Sequence, residues 1–319
     1  MTGAPAHNIS CLACRSAEVR RLETVTVNAI EDAWARASGS PSVNDVQRSN
    51  IRGDIDRAQV EIWGCDRCGL EFAEPMHAWM SGRYPREDHG LGYDHHAALV
   101  ELARMPRSSV LDIGCGDGQF LERVASLGHE GVGIDFSQED VAAARQRGVE
   151  ARCADITDLQ SACGRMKVDV ITMFQVIEHL RSPDAVFHQL GMVARTEAVL
   201  MIGCPSDLRY TRAYAHPQKI LRSDFWDYPP HHLSRWSAEA LKAFLLARGW
   251  EPEVIRYEPL PIIGAAAHMT ALRSLASEYR EARWHRRMAT AIWMMRLSAS
   301  RLSGRSTGIR LFTKACRRR

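Results

Sequence analysis

Val110–Gly118 reads V-L-D-I-G-C-G-D-G, and the rest of the chain can be placed around it. Val110, Leu111 and Ile113 mark a short buried strand, with Asp112 interrupting it near its end. Gly114, Gly116 and Gly118 follow at alternate positions, with Cys115 between the first two. Phe120, Leu121, Val124 and Leu127 then recur at helical spacing. Strand, glycine turn and helix together let a backbone approach a nucleotide-like ligand closely.

Downstream, strands and helices alternate in the manner of a parallel sheet. Strands are predicted at 109–113, 131–134, 150–153, 168–174 and 198–202, and helices at 119–127, 138–147 and 183–194. Possible ligand contacts fall at strand ends. Asp135 closes the second strand, 21 residues beyond Gly114, and is followed by Phe136. Asp155 and Ile156 close the third. Phe174, Gln175, Glu178 and His179 close the fourth. Any one such acid can be a helix N-cap, but four strand-end signals in register point to a ligand cleft.

The glycine spacing also bears on which ligand. A dinucleotide fingerprint places its third glycine five positions after the first, whereas Gly118 lies four after Gly114, and position 119 is Gln. Asp112 and Asp117 flank the turn. Carboxylates there repel a pyrophosphate and suit a cationic ligand bearing an ammonium and a sulfonium.

On Asp112–Gly118, Gly133–Asp135, Ala154–Ile156 and Val176–His179, the sequence resembles the class I S-adenosylmethionine-dependent methyltransferases. The resemblance implies an α/β, Rossmann-like sheet of seven strands with the last antiparallel. It implies that Asp112 and the turn hold the methionine part, Asp135 the ribose, and Asp155 and Ile156 the adenine. Phe174 and Gln175 would approach the methionyl portion, with Tyr93 of the preceding connector as a cover.

Cys11 and Cys14 form one C-x-x-C knuckle, and Cys65 and Cys68 form another 50 residues later. Two such knuckles can close a tetrahedral thiolate site, so residues 1–78 are expected to be a small zinc-ribbon-like domain around a structural Zn²⁺. The pairing resembles bacterial methyltransferases with an N-terminal zinc-binding segment, several of which act on sugars or secondary metabolites. Residues 79–106 read as a connector carrying Tyr84, Tyr93, His95 and His96. Residues 37–50 read as a long exposed loop.

In the methyltransferase part, 107–319, residues 205–233 are irregular and aromatic, and read as a substrate lid. A helix over 238–248 follows, with Ser237 as its N-cap, and then a strand at 252–257. Residues 261–305 read as a helical insertion before a final strand at 308–315. Within the insertion Trp284, Met288, Ile292, Met295, Ala299 and Leu302 share one helix face. From Ala271 onward 13 Lys/Arg face two acids, a local charge of +11 against −8 for the remainder. The basic helix over 284–302 suits either an anionic membrane or packing against the sheet or a second subunit.

The N-terminus shows no basic segment followed by an apolar run, so a cytoplasmic protein is expected, peripheral at the inner membrane face if that helix binds lipid. The acceptor is expected to be a small molecule, a glycan or a lipid-linked compound. His231, His232 and His179 are the candidate bases for a hydroxyl acceptor. Two alternatives stand beside this reading. One is an RNA- or protein-modifying methyltransferase, although the knuckles lack the basic, aromatic surface of a nucleic-acid binder. The other is a non-catalytic cofactor-binding protein.

Overall fold

The computed structural model describes residues 9–38, 51, 54–78, 90–164, 166–213, 225–276, 283–302 and 308–318. Tyr84, nearly all of the predicted 37–50 loop and residues 214–224 of the expected lid lie outside them.

Two sheets organise the chain. The strands, in order, are β1 Val19–Thr26, β2 Gln59–Cys65, β3 Glu71–Glu74, β4 Ser109–Ile113, β5 Glu130–Asp135, β6 Glu150–Cys153, β7 Val168–Phe174, β8 Ala194–Pro205, β9 Ser234–Arg235, β10 Trp250–Tyr257 and β11 Arg310–Arg317. The helices are α1 Val27–Ser38, α2 Tyr93–Leu102, α3 Gln119–Ser126, α4 Gln138–Gln146, α5 Leu159–Cys163, α6 Pro183–Val193, α7 Tyr210–Ala213, α8 Ala238–Leu246, α9 Ile262–Ala276 and α10 Arg283–Leu302.

The larger sheet has seven strands in the order β10-β11-β8-β7-β4-β5-β6. β4 sits between β5 and β7 and runs parallel to both. Val110, Leu111 and Ile113 are buried because helices cover both faces of the sheet. β11 runs antiparallel between β8 and β10, as the sequence resemblance implies. The strand order turns back between β4 and β5 on one side and β7 on the other, the position where an open α/β sheet leaves a crevice.

The smaller sheet, β1-β2-β3-β9, alters the expected domain boundary. Its fourth strand comes from Ser234–Arg235, far along the chain, through Glu71↔Arg235 and Phe72↔Ser234. Cys11, Cys65, Cys68 and Phe72 share one core with Trp236, Leu241 and the large sheet. Arg248 extends this join, donating to the carbonyls of Leu12 and Ala13. The N-terminal segment is therefore packed into the methyltransferase part and is not a separate unit ending at residue 78.

α1 was not expected. Val27, Ile30 and Trp34, at spacings of three and four, bury against Val60, Ile62 and Tyr228. Nor does the 205–233 stretch behave as a cover throughout. Asp227, Tyr228, His232 and Leu233 are buried, and the Leu233 carbonyl accepts from the Ala73 amide.

Candidate active site

The turn after β4 carries the strongest backbone constraint. Gly114, Gly116 and Gly118 all have positive φ, at +74°, +51° and +81°. A Cβ on Gly114 would come within 2.5 Å of Val176, and one on Gly118 within 2.9 Å of Ala144. Gly116 has nothing within 4 Å of that position, so space opens above the middle of the turn. Asp135, at the end of β5, ties the turn down: one oxygen accepts from the Gly116 amide and the other from the Ser137 amide, each at 2.9 Å. Burial pushes the Asp135 carboxyl up.

Asp112 is also buried. Thr172 of β7 donates to it at 2.7 Å, and burial raises its pKa to about 7. Asp117 corrects the expectation that it contributes free negative charge to the ligand. Arg147 pairs with it at 2.8 Å, and this bond, with those from Gln119, outweighs burial and lowers its pKa. Asp155 is exposed and works as a cap: one oxygen accepts from both the amide and hydroxyl of Thr157 at 2.7 Å. Its expected use against adenine therefore rests on the other oxygen. Ile156 is half-buried and Phe136 is exposed at the same edge. Cys115 is buried, and its sulfur would collide with a side chain at position 133, which explains Gly133.

Across the turn, Phe174 packs against Phe120 and His95 with ring centroids 5.0 and 4.5 Å apart, and Tyr93 lies against the same cluster. Gln175 adopts a positive φ of 56°. Its side-chain amide donates to Asp94 at 2.8 Å.

Asp94 is a residue that the sequence reading passed over. It is fully buried, and it accepts from Arg310 of β11 at 2.7 Å. Burial disfavours its charge, but His95 and Arg310 outweigh that and hold its pKa at about 2. Gly92 makes room for the pair, since a Cβ there would overlap Arg310, and Gly203 does the same for Asp94. No local spacing signals this arrangement, because its partners are 216 residues apart.

Beyond β7 the three candidate histidines come together. Nitrogens of His179, His231 and His232 lie within 4.8 Å of one another. His231 and His232 stack at 4.6 Å, and His179 stands edge-on to His231 and tilted against His232. His179 Nδ1 lies 2.7 Å from the His231 carbonyl, so it donates there and Nε2 is left as the basic nitrogen. His232 Nδ1 faces the Asp227 carboxylate at 3.3 Å, which orients that ring likewise. Burial lowers the pKa of both rings, His179 far below the usual value, so both are neutral at pH 7.

Asp227 anchors this side. It forms a buried ion pair with Arg209, and its backbone carbonyl accepts two bonds from Arg235. Arg235 in turn reaches Glu71 of β3 at 2.9 Å. Tyr228 donates to Glu23 of β1 at 2.7 Å. Glu178, expected to touch the cofactor, is buried with neither carboxylate oxygen hydrogen-bonded among the described residues. Burial pushes its pKa up to about 8. His179 Nε2 lies 3.8 Å from its carboxylate.

The four N-terminal cysteines also converge, their sulfurs all within 4.8 Å. Cys11–Cys68 and Cys14–Cys65 are 3.5 and 3.6 Å apart. That is too long for a disulfide and close to the edge of a tetrahedron with metal–sulfur bonds of about 2.3 Å. The donor set fits zinc.

Comparison with known proteins gives one family model, described as "Methyltransferase domain", matching residues 88–254. Among curated relatives, "Probable S-adenosylmethionine-dependent methyltransferase Rv3030" of Mycobacterium tuberculosis is 26% identical over 159 residues, 49% of this chain and 54% of that protein. The "Ubiquinone biosynthesis O-methyltransferase" of Hahella chejuensis is 34% identical over 108 residues, 32% of this chain and 45% of that one. The chain thus spans about half the length of the curated relatives it matches. Among solved structures, an S-adenosylmethionine-dependent methyltransferase from Mesorhizobium loti aligns with a TM-score of 0.47 at 17% identity, covering 71% of this chain and 99% of that one.

Proposed function

Because this chain belongs to the methyltransferase domain family, we propose that it transfers a methyl group from S-adenosylmethionine to an oxygen of a small-molecule, glycan or lipid-linked acceptor. The observation that carries this reading is the pairing of two neighbouring sites at one sheet edge. One is the open glycine turn with buried Asp112 and Asp135. The other is the histidine cluster just past β7, in which burial keeps His179 and His232 neutral. The relatives named as O-methyltransferases support oxygen as the acceptor atom.

S-adenosylmethionine, when bound, supplies a methyl group already activated on a sulfonium, so the protein's task is to position and deprotonate the nucleophile. The turn, with Asp135 fixing the Gly116 amide, presents backbone to the cofactor. Phe174 and Gln175 line its methionyl side, with Gln175 held by Asp94. Phe136 and Ile156 offer apolar surface for the adenine. His232 Nε2 takes the acceptor's proton, with Asp227 holding the ring and stabilising the imidazolium that forms. His179 and His231 shape the acceptor pocket beside it. Cys11, Cys14, Cys65 and Cys68 hold a structural zinc, whose four sulfurs leave no open position for chemistry.

Incubation of candidate acceptors with the purified protein and a methyl-labelled cofactor tests the acceptor atom. Label is expected in a new O-methyl group; a labelled methyl group on nitrogen or carbon would overturn this assignment.

A further inference from the structure

The helix stripe singled out in the sequence points outward. α10 packs on α9 through Leu297, with Thr290 3.1 Å from Thr270. On its other side Met288, Ile292, Met295 and Leu302 are 55%, 40%, 66% and 89% exposed, and the small Ala299 between them is exposed too. These positions follow one another at four, three, four and three residues, so they form a continuous apolar ridge about 21 Å long. Arg296 and Arg301 are exposed on the same helix.

A second apolar feature adjoins the C-terminal end of the ridge. Leu260, Pro261, Ile262, Ile263 and Gly264 line a shallow pocket of about 500 Å³, with Arg301 as the one charged lining residue among the described residues. Ile263 is 77% exposed. An acyl chain fits such a wall, and the guanidinium suits a phosphate at its mouth.

From the ridge, the pocket and the arginines, we infer that α9 and α10 form a docking surface for an anionic lipid bilayer, with α10 lying in the interface plane. Charge selects this occupant. α9 and α10 carry Arg273, Arg283, Arg286, Arg287, Arg296 and Arg301 and no acidic residue, which repels a second copy of the same helices and attracts anionic headgroups. Among the described residues no helix is long and apolar enough to cross a membrane, so the helix rests on the bilayer. The location gives this a use: β10 ends and β11 begins opposite the carboxyl end of β8, through Tyr257↔Leu311 and Arg310↔Pro205. The helical pair that joins them therefore lies at the same carboxyl end of the sheet as the glycine turn, with β8 and β7 between. On the proposed function, docking holds that end of the sheet against the lipid phase, where an acceptor with a lipid tail resides.

The test is co-sedimentation of the full chain with phosphatidylcholine vesicles and with vesicles containing about 30% phosphatidylglycerol. Wild type is expected to bind only the second, and to be released as salt rises from about 0.1 to about 1 M and the screening length falls. Met295→Glu with Leu302→Glu, both on exposed positions, is expected to weaken binding at least about tenfold, and Arg301→Glu about fivefold. The melting temperature of each variant should match wild type. Equal binding to both vesicle types, no binding to either, or full binding by the double variant would overturn the inference. So would a wild-type dimer that the double variant splits, because the face would then belong to a second copy.

Discussion

The two halves of the active edge are built in different ways. At the ends of β4, β5 and β6 the glycine-turn side is local: each element follows its neighbour in sequence, and Asp135 reaches the Gly116 amide across only 19 residues. Past β7 the acceptor side is assembled from a distance. His179 meets His231 across 52 residues, Tyr228 meets Glu23 across 205, and β9 completes a sheet begun near the N-terminus. On the proposed reading, the local half would hold the cofactor and the half built from long-range contacts would shape the acceptor pocket.

Removing Asp227 should break this contrast most severely. Asp227→Ala leaves the buried Arg209 guanidinium without its carboxylate, at a cost of about 3–5 kcal/mol of stability. Denaturant unfolding measures that loss, and a loss below about 1 kcal/mol would mean that the acceptor side is not held by this ion pair.

His232→Gln keeps the size and polarity of the side chain but removes the base. It should lower kcat by about 10²–10⁴ while leaving affinity for the demethylated cofactor unchanged, since that ligand sits on the other half. The pH dependence gives a separate reading. A base must be unprotonated, and burial lowers the pKa of His232 below 6.5. Wild-type activity should therefore persist through neutral pH and fall only as pH drops through that lowered value. An acid limb above pH 7 would exclude this residue.

Gly118→Ala probes the opposite half with the smallest effect. A φ of +81° and the approach to Ala144 should cost about 1–3 kcal/mol. Cofactor affinity should fall, while the pH profile set by the histidines should keep its shape. Isothermal titration and the profile together read both.

What was legible in the sequence follows the same division. The β4 turn, the alternation of strands and helices and the paired knuckles all express short spacings or a regular period, and the structure contains each; the antiparallel last strand, which the family resemblance implied, is present too. The charge of Asp117 misled, because a carboxylate in a turn looks the same whether it faces a ligand or an arginine. The Asp94–Arg310 pair carried no signal at all, since it exists only once β11 has inserted beside β8. The α10 stripe was visible as a period, but a period does not say which way a helix faces. Exposure of Met295 and Leu302 does.

The central claim is that the turn between β4 and α3 holds S-adenosylmethionine. Its most direct test is the stability of the purified chain with S-adenosylhomocysteine at about 100 times its dissociation constant. The account predicts a stabilisation of roughly 2.7 kcal/mol, retained in His232→Gln and diminished in Gly118→Ala. A folded chain that gains no stability at millimolar ligand would contradict it.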